Sequence, residues 1–182
     1  MVKNETIVQL LTVFRRYGYE GATLTRLSEA TGLGKASLYH HFPKGKEEIA
    51  AVVLNYTNDW MAANIIAPLG DKERQGLSKI KEMTKKVNEL YSCGQKSCIL
   101  AVLVLGESND IFHNQIQQAL KLWIDTLAKV LIEAGLDEKT ALYRAEDAIL
   151  QIQGSLILAR GLNDTKPFER VLNHLPETLL KV

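Results

Sequence analysis

Apolar residues recur along this chain at steps of three and four, and no stretch reads as a convincing strand, so the pattern predicts an all-α protein. Ile7, Leu10, Leu11, Phe14 and Tyr17 mark a first helix, stopped by Gly18. Leu24, Leu27 and Ala30 mark a short second helix. Thr23 is placed to accept the free N–H groups at its start, and Gly32 to end it. Gly32, Leu33 and Gly34 then reverse the chain, with Leu33 anchoring the turn in the core. A third helix runs from about Lys35 to Phe42. Its Leu38 and Phe42, four apart, share the inward face and turn Lys35, Ala36, Ser37, Tyr39 and His40 outward.

Pro43, Lys44 and Gly45 break the pattern, and Glu47 and Glu48 follow as the acidic first turn of a new helix. Its apolar positions Ile49, Val52, Val53, Tyr56, Trp60 and Met61 continue without Gly or Pro until Pro68. This rod links the two parts of the chain, either as a lever or as a passive strut. A further helix is expected from Asp71 to Leu90, with Leu77, Ile80, Met83, Val87 and Leu90 inward and its lysines solvated. Residues 92–97 read as a loop, and Cys98 to Leu105 as a centrally buried helix, apolar all round. Ile116, Leu120, Trp123, Leu127 and Leu131 line the next helix, which Gly135 closes. Two more follow, Asp137 to Arg160 and Phe168 to Leu180, the last kinked or broken at Pro176. The expected organisation is a three-helix helix-turn-helix domain over residues 1–45 and a larger helical domain over 46–182.

The 182 residues, 46% hydrophobic and 24% charged, suit an ordinary globular protein with a proper core. The net charge of +1 averages two unlike parts. Residues 1–50 hold seven Lys and Arg against five Asp and Glu, and residues 51–182 hold fifteen against sixteen. Between Arg26 and Lys46 four cations, Arg26, Lys35, Lys44 and Lys46, face the single acid Glu29. A short helix showing Lys and Ser in its first turn, with Tyr and His beyond, suits the major groove of DNA. The same spacing also occurs in all-α proteins that never touch nucleic acid. No signal sequence is visible, no stretch is apolar for long enough to span a membrane, and the expected location is the cytoplasm. The N-x-[ST] triplets at Asn4, Asn55 and Asn163 are then chance matches.

The stretch GLGKASLYHHFPKGKEEI, led in by GYEGATLTRLSEAT, resembles the recognition-helix signature of the tetracycline-repressor (TetR) family of bacterial transcription regulators over about the first fifty residues. The resemblance implies that Thr25, Lys35, Ala36, Ser37, Tyr39 and His40 face DNA. It also puts His41 at the helix end beside the backbone, and gives Lys46 a phosphate to hold. Two positions depart from the family pattern. Thr25 stands where Arg is frequent and Gly34 where a capping Ser is frequent, which implies a weaker phosphate grip and a weaker start to the third helix.

The family also implies a variable ligand domain and a homodimer on palindromic operator DNA, released by a small, mainly apolar or amphipathic effector. Tyr56, Trp60, Met61, Met83, Tyr91, Phe112 and Trp123 are the candidate lining residues, although each also reads as plain core. Ala141, Ala145, Ala148, Ile152, Ser155 and Ala159 form a stripe of mostly small residues along one helix. With Phe168, Leu172 and Leu175 of the final helix they are the candidate dimer interface, the alternative being internal packing.

Nothing in the chain asks for catalysis, a metal or a cofactor. Gly34-Lys35-Ala36-Ser37 lacks the hydroxyl directly after Lys and the earlier glycine of a phosphate loop. Gly106 to Asp110 lacks the second glycine of a nucleophile elbow. His40 and His41 are adjacent and point about 100° apart on a helix, unlike an i, i+4 ligand pair. Cys93 and Cys98 read as reduced thiols, with a redox pair across the loop as the minor reading. Two other functions stay open on this reading: a small-molecule-binding helical protein without DNA activity, and a thiol-responsive regulator.

Overall fold

Helices form where the apolar periodicity and its punctuation predict them in the computed structural model, which describes residues 3–181 and has no strand among them. Helix α1 spans Asn4–Gly21 and is interrupted at Gly18, whose φ of 73° breaks the helical path before one more turn. Helix α2, Leu24–Thr31, starts where Thr23 Oγ1 accepts the Arg26 N–H at 3.3 Å and ends at Gly32, left-handed at φ 68°. Helix α3 is Lys35–His41, with no side-chain cap at Gly34. Helix α4, Lys46–Met61, begins with the Lys44 N–H bonded to Glu48 Oε2 at 2.9 Å.

A π turn, Ala62–Ile66, follows α4 and passes into the short α5, Ala67–Leu69, so the helical path runs through Pro68. A proline ring crowds the carbonyl four residues before it, and the wider turn eases that crowding. Helices α6, Gly76–Leu90, α7, Ile99–Leu103, α8, Ser108–Glu133, α9, Glu138–Leu162, and α10, Lys166–Thr178, complete the chain.

Several expectations are corrected. Asp71 does not open α6, because its carboxylate accepts the Glu73 N–H at 3.0 Å and pairs with Arg74 at 3.1 Å, closing a turn instead. On α6 Leu77 is exposed and Lys79 is buried, the reverse of what the amphipathic pattern suggests. Lys79 can stay buried because its Nζ donates to Glu133 at 2.9 Å. The apolar run from Cys98 is helical only to Leu103, and Val104 and Leu105 are exposed. Ser108 Oγ holds the turn that follows, donating to the carbonyls of Leu103 and Leu105 at 2.9 and 2.8 Å. Pro176 lies inside α10 without ending it. Its missing N–H and its ring cost the bond to the Leu172 carbonyl, but the Leu179 N–H still bonds to the Leu175 carbonyl at 3.0 Å, so the last turn closes beyond the ring. Tyr17, Ala30 and Leu33 are not core residues.

Packing divides the chain into two compact units, Met1–Asp59 with Cys98–Ile116, and Trp60–Ser97 with Gln117–Val182. The first extends past the boundary expected at residue 45. Ile49, Ala50, Val53 and Leu54 of α4 are buried, as are Leu10 and Phe14 of α1, Leu27 and Leu38, and Ile99, Leu100 and Leu103 of α7, which packs on α1. In the second unit α10 packs on both α9 and α6. Met83, Val87, Tyr91, Trp123, Leu127, Ile152 and Phe168 are buried there.

Candidate nucleic-acid interface

The turn between α2 and α3 is tied by short-range bonds. Ser28 Oγ donates to the Leu33 carbonyl at 2.6 Å, and Thr31 Oγ1 donates to the Leu27 carbonyl at 2.8 Å while accepting the Leu33 N–H at 3.3 Å. These hydroxyls, with left-handed Gly32, set the angle at which α3 leaves α2. Leu38 and Phe42 are buried as their spacing requires. Lys35, Ala36, Tyr39, His40 and His41 are consequently exposed on α3, as is Thr25 on α2, while Ser37 is half-buried. Tyr39, 48% exposed, rests its ring beside Gly45, where a methyl group would lie 3.4 Å from Cε1. The rings of His40 and His41 meet edge-on at 5.4 Å.

Lys46 is half-buried, its Nζ 4.1 Å from the centroid of the Tyr19 ring. Burial first, and then the carboxylates of Glu47, Glu20 and Glu107, hold the Tyr19 phenol above its ordinary range, so the ring stays neutral. Arg26 donates to the Gly21 carbonyl at 2.6 Å and lies over Tyr17 at 4.2 Å from its centroid. Sequence reasoning missed Tyr19, Ser28 and Thr31. For the two hydroxyls a signal existed, since Ser and Thr in the last turns of a short helix bond backward or forward to the backbone.

The candidate effector residues are placed in both units. Tyr56 and Phe112 belong to the first, where Phe112 meets Tyr19 edge-on at 6.0 Å. In the second, the Trp123 indole N–H points at Met83 Sδ at 3.5 Å, and Tyr91 meets Phe168 edge-on at 6.1 Å. Met61, Met83, Tyr91, Phe112 and Trp123 are all buried, whereas Tyr56 and Trp60 are half-buried. Among the described residues, the open grooves include one of about 410 Å³ between α1 and α2 and one of about 290 Å³ between α6 and α10, and neither of these is lined by any of the seven.

Ala141, Ala145, Ala148, Ile152, Ser155 and Ala159, with Phe168, Leu172 and Leu175, are at most 5% exposed in the single chain. They are interior residues. The opposite face of α9, half a turn away, is the one left open. It carries Tyr143, Leu150 and Ile157, the last two 68% and 69% exposed, with Gly154 and Gly161 between and beyond them. Cys93 is exposed and Cys98 buried, both free thiols. Among the described residues no helix is long and apolar enough to cross a membrane.

Residues 9–53 match the profile described as bacterial regulatory proteins, tetR family, and residues 78–174 match that of the transcriptional regulator LmrA/YxaF-like C-terminal domain. The HTH-type transcriptional regulator LmrA of Bacillus subtilis is 23% identical over 171 residues, covering 92% of this chain and 90% of that protein. The biofilm operon icaADBC HTH-type negative transcriptional regulator IcaR of Staphylococcus epidermidis is 36% identical over 67 residues, 35% of this chain and 36% of that one. The crystal structure of a TetR transcriptional regulator from Legionella pneumophila superposes with a TM-score of 0.82 at 23% identity, covering 98% of both chains. With both parts of the chain matched and the fold shared from end to end, this protein belongs to the TetR family of transcriptional regulators, which act by binding DNA and not by catalysis.

Proposed function

We propose that this protein is a cytoplasmic, ligand-responsive repressor that binds a palindromic operator as a homodimer and is released by a mainly apolar small molecule. The observation that carries the reading is the outward face of α3, where Lys35, Ala36, Tyr39, His40 and His41 stand exposed around a helix anchored by buried Leu38 and Phe42. Short helices so mounted read base edges from the major groove, and Lys46 at the next helix start supplies a phosphate contact. Repression agrees with the Staphylococcus relative, a negative transcriptional regulator.

A palindromic operator requires a twofold protein. The outer face of α9 is our proposed subunit interface. Leu150 and Ile157 supply exposed apolar area, and Gly154 and Gly161, with nothing against them, let a second helix come close. The effector part is supported by the buried Trp123 indole, whose N–H reaches a thioether, a weak acceptor on a flexible side chain. A mainly apolar molecule bearing one good acceptor would improve on that bond by displacing Met83.

Binding to operator fragments, selected by retention on the purified protein, tests the core of the reading. Lys46→Ala is expected to weaken all sequences alike and to lower the salt slope by about one, whereas Tyr39→Ala and Ser37→Ala reduce discrimination between sequences. Unchanged binding by all three folded variants would overturn the assignment of α3. For the effector, linkage requires that operator DNA weaken effector binding by the same factor that the effector weakens DNA binding.

A further inference from the structure

Lys46 opens α4 with its ammonium over the face of Tyr19, 4.1 Å from the ring centroid. That ring is itself clamped. Phe14 stacks on it at 6.3 Å with planes 19° apart, and Phe112 meets it edge-on at 6.0 Å and 71°. Tyr19, Phe14 and Phe112 are all buried, so the ring has no freedom to turn away from the lysine. We propose that Tyr19 is a positioning residue for DNA binding: its clamped ring holds the Lys46 ammonium in place for an operator phosphate before the DNA arrives. The proposal rests on the reading of Lys46 as a phosphate contact.

Two physical arguments favour a ring in this position. A lysine stem is among the side chains that lose most rotamer freedom when fixed, and a stem already resting on a ring has lost much of it in the free protein. An aromatic face attracts a cation through its quadrupole while carrying no net charge. The ring contact therefore neutralises none of the ammonium's charge, and the carboxylates of Glu47, Glu20 and Glu107 around Tyr19 are the anions that an operator phosphate has to outcompete. Phe112 adds a dependence on α8, because the pose of the ring relies on that helix start staying against α1.

The test is a double-mutant cycle read by anisotropy on a fluorescein-labelled duplex of random sequence at low salt, which reports phosphate contacts whatever the operator. With Lys46 present, Tyr19→Leu is expected to weaken binding about threefold to tenfold, and Tyr19→Phe, which keeps the ring, to bind as the parent does. In the Lys46→Ala background Tyr19→Leu is expected to add nothing. Equal losses in both backgrounds would make Tyr19 merely structural and overturn the proposal, as would a Phe variant as weak as the Leu one. Should Tyr19→Leu unfold, Phe112→Leu is read in the same cycle with the same two outcomes. If Lys46→Ala by itself leaves affinity and salt slope unchanged, the phosphate reading of Lys46 fails and takes the proposal with it, a result distinct from additivity.

Discussion

Replacing Gly94 by alanine should cost the protein about 2–4 kcal/mol, although one added methyl in a loop reads as harmless from sequence. Gly94 has φ 87° and follows Ser92 and Cys93, themselves at φ 48° and 57°, in a turn where the N–H groups of Gly94 and Lys96 both bond to the Tyr91 carbonyl. A side chain in the left-handed region costs roughly 1 kcal/mol. The new Cβ would also lie 2.9, 3.1 and 3.2 Å from Cδ1, Cβ and Cγ of Phe168, where carbon atoms prefer about 3.5–4.0 Å. Phe168 is fully buried and edge-on to Tyr91, which is 1% exposed, so neither ring has room to retreat. Overpacking of this kind costs about 1–3 kcal/mol. For a chain of this length the sum corresponds to a fall in Tm of about 4–16 °C. Gly135→Ala is the control, since Gly135 has φ 103° and nothing within 4 Å, leaving the backbone cost alone. Urea unfolding of the parent and both variants at one protein concentration measures the difference. If Gly94→Ala proves no more costly than Gly135→Ala, the contact with Phe168 is not what closes this turn.

Three further outcomes are expected. Glu133→Gln, which leaves the buried Lys79 ammonium without its anion, should lower stability by about 1–2 kcal/mol, less than for a fully buried pair because Glu133 is exposed; Lys79→Met should be neutral or stabilising, and chemical denaturation of both checks this. Leu150→Glu and Ile157→Glu should each give a folded monomer by light scattering, and a dimer that survives both would move the interface off this face of α9. Hydrogen bonds from Thr140, hydroxyl first and backbone N–H second, hold the Asp137 carboxyl below the usual carboxylate range. Its contribution to stability is thus complete above the unfolded-state value of about 3.9 and lost as pH falls through the lower folded value, so the advantage over Asp137→Asn in thermal melts should shrink below about pH 4.

The limits of α2 and α3 were readable because their causes are local, whereas α1, expected to stop at Gly18, only kinks there and runs on to Gly21. Thr23 needs only the N–H three residues on, Gly32 only its missing side chain, and Leu38 and Phe42 only each other. The outward face of α3 follows from that spacing. What was not readable needs a partner distant in sequence. Lys79 looked like one more solvated lysine because Glu133, which lets it stay buried, lies at the end of another helix. Tyr19 drew no expectation for the same reason: Phe112 and Lys46, which meet its ring, come from two other helices.

Helix α9 shows why periodicity alone misjudges an interface. Apolar residues stand on both of its long faces, with Glu146 and Asp147 among them on the outer one, so the pattern does not say which face is covered or by what. A stripe of alanines permits close approach, and close approach serves an intramolecular neighbour as well as a second subunit. In this chain α10 packs on α9, and the alanine stripe is buried without any second copy. The branched residues Leu150 and Ile157, with Gly154 and Gly161, remain in open space on the other side. Apolar area of that kind on a single helix has little reason to face water, and burying a leucine or isoleucine side chain contributes about 1.5–3 kcal/mol. Two such residues from each subunit of a symmetric pair, meeting across a glycine-lined seam, would supply a substantial part of what holds a dimer together, and the twofold axis that relates them is the symmetry that a palindromic operator demands.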